Sequence, residues 1–428
     1  MKNLIFCLII LSYALLFHCQ FFQVPTDDDG DDKNKLTEFF IYIDGNFEER
    51  GFYPVKNGQY CAVWSDETIA LDSEMADTII DSFDNTIRPN ITDNFAEAYD
   101  VNSDGKTAII VYSDTSTRQV KNAYFAGYFT HIDFYQRDTG DYAYSNEMDV
   151  VYLNGTPDGH KPGSDRFLGT LAHEFQHLCN FSYNVWEEDP NKSINNQMLT
   201  WMDEGMAENA SALCFGRESN QFRMRAYEND GNDRFANGNV SLILWNNSPD
   251  NYPLVYAFFA YLEKKYNTEK VNIYEKIYAK TANNTNDVHD VIQDIDKTGF
   301  DSQFISFVSA LQNINNNSFP ADFFPSDFTS VPECSGQVNL RPYAFVYNSS
   351  NFTNKDDDIT LLTAAGKITN DINTAVAAVY TDSTAWNKDT ISDINTTKQV
   401  TAPLSRTRSR KKKSVLEPVP VDYRIRKK

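Results

Sequence analysis

The 428-residue sequence predicts an α+β fold. Three observations carry that expectation. Short alternating or compact apolar runs dominate before residue 155, helical spacing dominates from about 165 to 315, and strand-like runs return between 335 and 400. A composition 41% hydrophobic and 14% aromatic is that of a globular chain with a proper core.

The first element is a leader. Residues 1–19, "MKNLIFCLIILSYALLFHC", join one early lysine to an apolar run from Leu4 to Phe17, of signal-peptide length and short for a membrane span. Residues 20–36 read as an acid-rich tether. A cysteine at 19 followed by such a tether resembles a bacterial lipoprotein signal, with lipidated Cys19 as a membrane anchor. His18 stands where those signals carry a small residue, so plain secretion is the alternative. Both readings place the mature chain outside the cytoplasm.

"EFFIYID" and "GQYCAVW" are strand-like. Asp72 is a helix cap, and Ala76, Ile79, Ile80, Phe83 and Ile87 follow at helical spacing, predicting a helix that ends before Pro89. "KTAIIVYSD" and "NAYFAGYFTHIDFY" predict further strands, and "EMDVVYLNG" predicts a strand that either borders a cleft at the sheet edge or sits within the sheet. Ser164 caps a helix whose apolar face is Phe167, Leu168, Leu171, Phe175 and Leu178. An Asn-rich loop, 183–196, leads to a second helix through Met198–Phe215. Taken together, 37–315 reads as one domain, 316–334 as a linker, 335–400 as a small β-module, and 401–428 as a basic, disordered tail.

The net charge is −22, and the ten Lys and Arg from Arg406 to Lys428, set against Glu417 and Asp422, leave −30 on everything before them. So acidic a body repels phosphate backbones, which excludes nucleic acid as the expected partner. Cys61, Cys179, Cys214 and Cys334 form no close pair, which excludes a cysteine zinc ribbon; a Cys179–Cys214 bridge and two buried thiols are both open.

The chemistry concentrates in "TLAHEFQHLCN". Residues four apart share a helix face, so His173 and His177 can aim at one point, and Glu174 beside the first is placed to take a proton from water. Two histidines on one face can equally be hydrogen-bonded side chains. A hydrolytic zinc site needs a third protein ligand. "TWMDEGMAENAS" offers Glu204, with 26 residues between it and His177, on a helix that can fold back across the first. Gly205 permits close helix approach. Glu208, one turn on, could orient a ligand histidine or solvate the cleft; Asp203, rotated about 100° from Glu204, is the weaker candidate for orienting.

"HEFQH" followed by "WMDEG" resembles the gluzincin clan of zinc metalloproteases. Residues 80–215, with "SFDNTIRPNITDNFAEAYDVNSDGKTAIIVYSD", "GYF" and "YSNEMDVVYLN", are similar to the hyicolysin-like family of secreted metallopeptidases, and 251–267 match more weakly. The resemblance implies a zincin-like mixed sheet with an active-site helix and a helical second subdomain. It implies His173, His177 and Glu204 as ligands of one Zn²⁺ per chain, Glu174 as general base toward a zinc-activated water, and protein or peptide substrates. Gluzincins often stabilise the oxyanion with a tyrosine or histidine from a later helix, and Tyr252 and Tyr256 fit that placement; His131, His160 and His289 are the other side chains available. The residues also leave open a different class of protein, a surface-exposed binding lipoprotein or adhesin with an architectural metal site.

"DVNSDGK" matches the first half of a calcium loop through Asp100, Asn102 and Asp104, with Gly105 at the turn. Val111 stands where the loop's bidentate acid would be, so a Ca²⁺ site and an ordinary Asp/Asn turn are the two readings.

Overall fold

The computed structural model describes residues 36–114, 123–157, 159–187, 197–225, 238–246, 249–280, 283–312, 317–326, 336–348 and 376–389, with shorter pieces up to 421. The leader, the tether with Cys19 and most of the basic tail lie outside the described residues. Among the described residues no helix is long and apolar enough to cross a membrane.

The fold is α+β, built on a mixed six-stranded sheet. Strand β1 (Thr37–Ile43) hairpins into β2 (Asn46–Asn57), and β2 pairs antiparallel with β3 (Cys61–Asp66). Charged "NFEER" hides β2 from any apolar pattern, yet its twelve residues form the longest strand. β3, β4 (Thr107–Tyr112) and β7 (Val150–Asn154) run parallel, and β6 (Gly127–Tyr128) closes the sheet antiparallel to β7. The order is β1-β2-β3-β4-β7-β6, so "EMDVVYLNG" contributes an interior strand and β6 is the edge. β7 is buried at all five residues, as a strand covered on both faces must be.

Alternation along the central strands feeds two layers. Val63, Ile109, Val111, Val151 and Leu153 face the helices, while Trp64, Ile110, Tyr112 and Tyr152 join Phe39, Ile41 and Phe52 on the other side. The sheet curls to enclose that second layer. Tyr42 N donates to Tyr128 Oη at 2.7 Å, and Asn146 brackets Phe40 by accepting from its N–H and donating to its carbonyl, so β1 is tied to the far end of the sheet.

Asp72 caps helix α1 (Ser73–Ser82), accepting from Met75 N at 2.9 Å. The helix does not stop before Pro89. A π-turn over Phe83–Ile87 widens the backbone, and α2 (Arg88–Asn94) restarts with Pro89 in its first turn, where a missing N–H costs no bond. Helices α3 (Asp165–Phe181) and α4 (Thr200–Phe215) form the expected hairpin, with Ser164 accepting from Phe167 N. Beyond α5 (Gln221–Arg225), the helical part continues as α6 (Asn251–Tyr266), α7 (Ile273–Tyr278), α8 (Thr285–Asp296) and α9 (Phe300–Gln312).

Two stretches are more integrated than their composition predicts. Phe319, Phe323 and Phe328, from the Pro- and Asn-rich 316–334, are buried in the main core, which also takes Tyr343, Phe345, Tyr347 and Val379 from the β-rich region. That region, in two three-stranded sheets, reaches back to the hairpin: Asp389 accepts from Thr200 N at 2.7 Å and Thr200 Oγ1 at 3.0 Å, capping α4. In the basic segment, 401–402 belong to strand β13 (Lys398–Ala402), and β14 (Val419–Val421) pairs with β5 (Ala123–Phe125).

Candidate metal centre and active site

Helix α3 carries His173 and His177 one turn apart on its α4-facing side, and α4 brings Glu204 opposite them. Gly169 sets the spacing of α3 to α4, and Gly205 that of α4 to α6. A Cβ at Gly169 would lie 3.0 Å from Ser211 Oγ on α4, and one at Gly205 would lie 2.4 Å from Phe259 Cδ2 on α6. Trp201, fully buried, locks α4 against Phe258, Phe259 and Phe300.

The ligand atoms converge. His173 Nε2 lies 3.0 Å from His177 Nε2 and 3.2 Å from Glu204 Oε2, and His177 Nε2 lies 3.6 Å from the same oxygen. Among the described residues, this is the group of three His, Cys, Asp or Glu side chains whose donor atoms lie within 4.8 Å of one another. All three are buried.

Each histidine has a carboxylate at its rear. His177 Nδ1 is 2.9 Å from Asp203 Oδ1, and His173 Nδ1 is 3.5 Å from Glu208 Oε1. A ring whose Nδ1–H faces a carboxylate presents the Nε2 lone pair forward. Two such lone pairs and a carboxylate oxygen pointed at one another repel, and a divalent cation resolves that repulsion. The residues therefore fit a His₂Glu zinc site.

Asp203 thus matters more than its angular offset from Glu204 suggested. The two imidazoles turn their Nδ1 edges to different sides, so one helix needs carboxylates at two angles to serve both. Asn180 Nδ2 donates to Asp203 Oδ1, and Asn184 Nδ2 to Asn180 Oδ1, extending the support. Behind Glu208 stands Arg223, whose Nε donates to Oε2 at 2.9 Å and whose Nη2 donates to Oε1 at 2.5 Å, both side chains buried. No sequence motif marks Arg223. The available signal was a basic residue eight positions past a helix that carries an inward acid.

Glu174 is 1% exposed, on the same helix turn as His173. Tyr252 and Tyr256 are fully buried on α6. Tyr252 lies under the Arg223 guanidinium, 4.6 Å from ring centroid to Cζ, and against Trp245. Tyr256 packs on Phe323, and burial lifts its hydroxyl to about 12 against the opposing charge of Arg217. A cleft of about 480 Å³ opens beside His173 and Glu208, lined also by Arg166, Thr170, Ser211 and Phe222; neither tyrosine lines it.

The other histidines are placed as framework. His160 Nδ1 is 2.6 Å from Asn154 O and Nε2 is 3.0 Å from Thr170 Oγ1, tying the end of β7 to α3; burial pulls its pKa down to about 4. His131 packs on Phe181 and Tyr135, and His289 Nδ1 accepts from Phe300 N. Cys61, Cys179, Cys214 and Cys334 are free thiols.

With this geometry in view, one similarity is informative. The chain is 32% identical over 213 residues to the neutral metalloprotease ShpI of Staphylococcus hyicus. The match covers 48% of this chain and 45% of that protein, so the chain spans about half the length of the curated relative it matches. No family model matches the chain. Similarity and site together support a metallopeptidase family.

Proposed function

We propose that the protein is a zinc metallopeptidase of the hyicolysin-like, gluzincin kind, an endopeptidase (EC 3.4.24 class) acting on extracellular proteins. The observation that carries this reading is the convergence of His173 Nε2, His177 Nε2 and Glu204 Oε2, with an acid, Glu174, beside the first ligand. His173, His177 and Glu204 would hold one Zn²⁺, which would supply Lewis acidity toward a water and a scissile carbonyl. Glu174 takes the proton of the attacking water and passes it to the leaving amine. Glu208 and Asp203 keep both imidazoles in the ligating tautomer, and Arg223 holds Glu208 in place. One of Tyr252 and Tyr256 is the candidate hydrogen-bond donor to the oxyanion, a role that requires the cleft to extend to α6; Phe exchange that leaves turnover unchanged at both removes it. The absence of a separate acidic motif for a substrate amine favours an endopeptidase, and the leader favours export, freely or through Cys19.

The test is Glu174→Gln. It should leave one zinc per chain, measured by metal analysis, and abolish cleavage of casein. Wild-type protein that binds zinc yet cleaves nothing in a peptide library would assign the hairpin an architectural role in a surface-binding protein.

A further inference from the structure

The sheet ends at β6, which pairs on one side with β7 through Gly127↔Leu153 and Tyr128↔Tyr152. Gly127 sits hard against the metal-bearing helix. A Cβ there would lie 2.9 Å from Thr170 Cγ2 and 2.8 Å from Tyr152 O, and Thr170 is one turn ahead of His173. β5 leads directly into this edge and is aligned with it by Asn154. Asn154 N donates to Ala126 O at 2.8 Å, and Asn154 Nδ2 donates to Phe125 O at 2.9 Å. The inner side of the β5–β6 run is thereby engaged, which leaves its outer side as the one that can take a strand, and the run adjoins the cleft through Gly127 against Thr170, a residue of the cleft wall.

That outer side of β5 already holds a strand. Val419, Pro420 and Val421 pair in parallel with Ala123, Tyr124 and Phe125, from a segment some three hundred residues away in sequence. We infer that this segment is a built-in occupant of the strand edge on which extended peptide substrates would dock, and that it limits their access to the cleft. The inference rests on the peptidase reading above.

The chemistry of the segment suits the task. Extended peptides bind exposed edges by adding a strand, and any chain already paired there competes for the same backbone groups. In a parallel ladder alternate residues face the partner with their N–H and C=O groups. Where Val421 turns its N–H toward β5, Pro420 turns away, and its missing N–H leaves the opposite side of the segment short of a donor for a further strand. The segment therefore covers an edge without creating a new one.

Position sets which substrates feel it. At roughly 3.3 Å per residue, Phe125 to Ala123 lie about 7–13 Å along the strand from Gly127. A short peptide spanning only the cleaved bond stays clear of the segment. A long one that continues along the edge must displace it.

The experiment compares the zinc-loaded full chain with a chain ending at Ala402, which keeps β13, and with full-length Val421→Pro. Two peptides share one cleaved bond, one of four residues and one of ten. Both altered proteins should cleave the ten-residue peptide with a KM at least three-fold lower and an unchanged kcat, while the four-residue peptide shows no change. A fluorescent peptide of residues 415–425 should bind the shortened chain saturably and raise the KM for the ten-residue peptide. An unchanged KM in folded Val421→Pro, an equal gain for both peptides, or no saturable binding of the 415–425 peptide overturns the inference. If no form hydrolyses either peptide, the binding measurement alone decides the pairing, and the proposed function is what falls.

Discussion

Two places in this chain hold the residue types of a metal site, and the structure treats them differently. In the α3–α4 hairpin, helical hydrogen bonding has consumed the local N–H groups, so imidazoles and carboxylate point their lone pairs at one another across the gap. In the Asp100–Gly105 loop the backbone has spare donors, and the acids serve them. Asp100 accepts from Asp104 N at 3.1 Å and Gly105 N at 2.9 Å, while Asp104 accepts from Lys106 N at 2.8 Å and Asn102 Nδ2 at 2.9 Å. The positive φ values of Ser103 and Gly105 are those of a tight turn. Carboxylates gather cations where no backbone donor is at hand to satisfy them first.

The strongest way to break this contrast is at the hairpin. Glu204→Gln removes the charged ligand and should lose both stoichiometric zinc and all hydrolysis, read by metal analysis and a casein assay. Glu174→Gln should keep zinc and cost about 10²–10⁴-fold in kcat. Equal zinc loss in the two variants would make Glu174 a ligand or a structural acid and dissolve the division of labour.

How much of this was legible follows from the same contrast. His173, His177 and Glu204 could be placed because helical periodicity converts spacing into direction, and the structure brings their donor atoms together. Glu208, one turn beyond Glu204, could be placed on the same face for the same reason, but spacing alone did not choose between orienting a histidine and solvating the cleft. Asp203 was undervalued because a sequence shows angles about one helix axis and not how two imidazoles are tilted against it. Arg223 was invisible, since its contact with Glu208 depends on the turn between α4 and α5. β2 was hidden by its charged outer residues, and the burial of Phe319, Phe323 and Phe328 by surrounding Pro and Asn. In each case tertiary packing decided what local pattern could not.

Arg223 sharpens the comparison next. Its guanidinium is the buried ion-pair partner of Glu208, so Arg223→Met should destabilise the fold by about 3–5 kcal/mol. It should also weaken zinc affinity on the order of 10–100-fold through a loosened His173. Glu208→Gln removes the buried charge as well and should cost less stability while still weakening zinc. Thermal unfolding and competitive chelator titration separate the two effects. Equal destabilisation by both variants would mean that packing over Tyr252, rather than charge, is what Arg223 contributes.

His160 gives a pH-dependent reading of how firmly α3 is moored to the sheet. Its folded pKa of about 4 lies below the ordinary 6.5, so the unfolded chain binds more protons between those values. Stability from this residue is complete above pH 6.5 and is lost as pH falls toward 4, by on the order of 2–3 kcal/mol. His160→Gln should flatten unfolding free energy across that window. A slope unchanged in the variant would assign the acid sensitivity to other groups.

The smallest effects belong to the loop, where they are most diagnostic. Asp149 is 3% exposed and its carboxyl is held well above the usual range, first by burial and then by Asp100 and Asp104. It accepts from Val101 N at 3.2 Å. If the loop is a turn stabilised by its own donors, Asp100→Asn weakens two backbone hydrogen bonds and costs about 1 kcal/mol. Millimolar Ca²⁺ then leaves the melting temperature of wild type and variant equally unmoved. If Asp100, Asn102 and Asp104 instead take up Ca²⁺, the ion raises the melting temperature of wild type alone, because the variant has lost a charged oxygen ligand. A calcium titration by calorimetry on both proteins decides between these outcomes, and a wild-type-specific shift would show that carboxylates already bonded to their own backbone can still hold a cation.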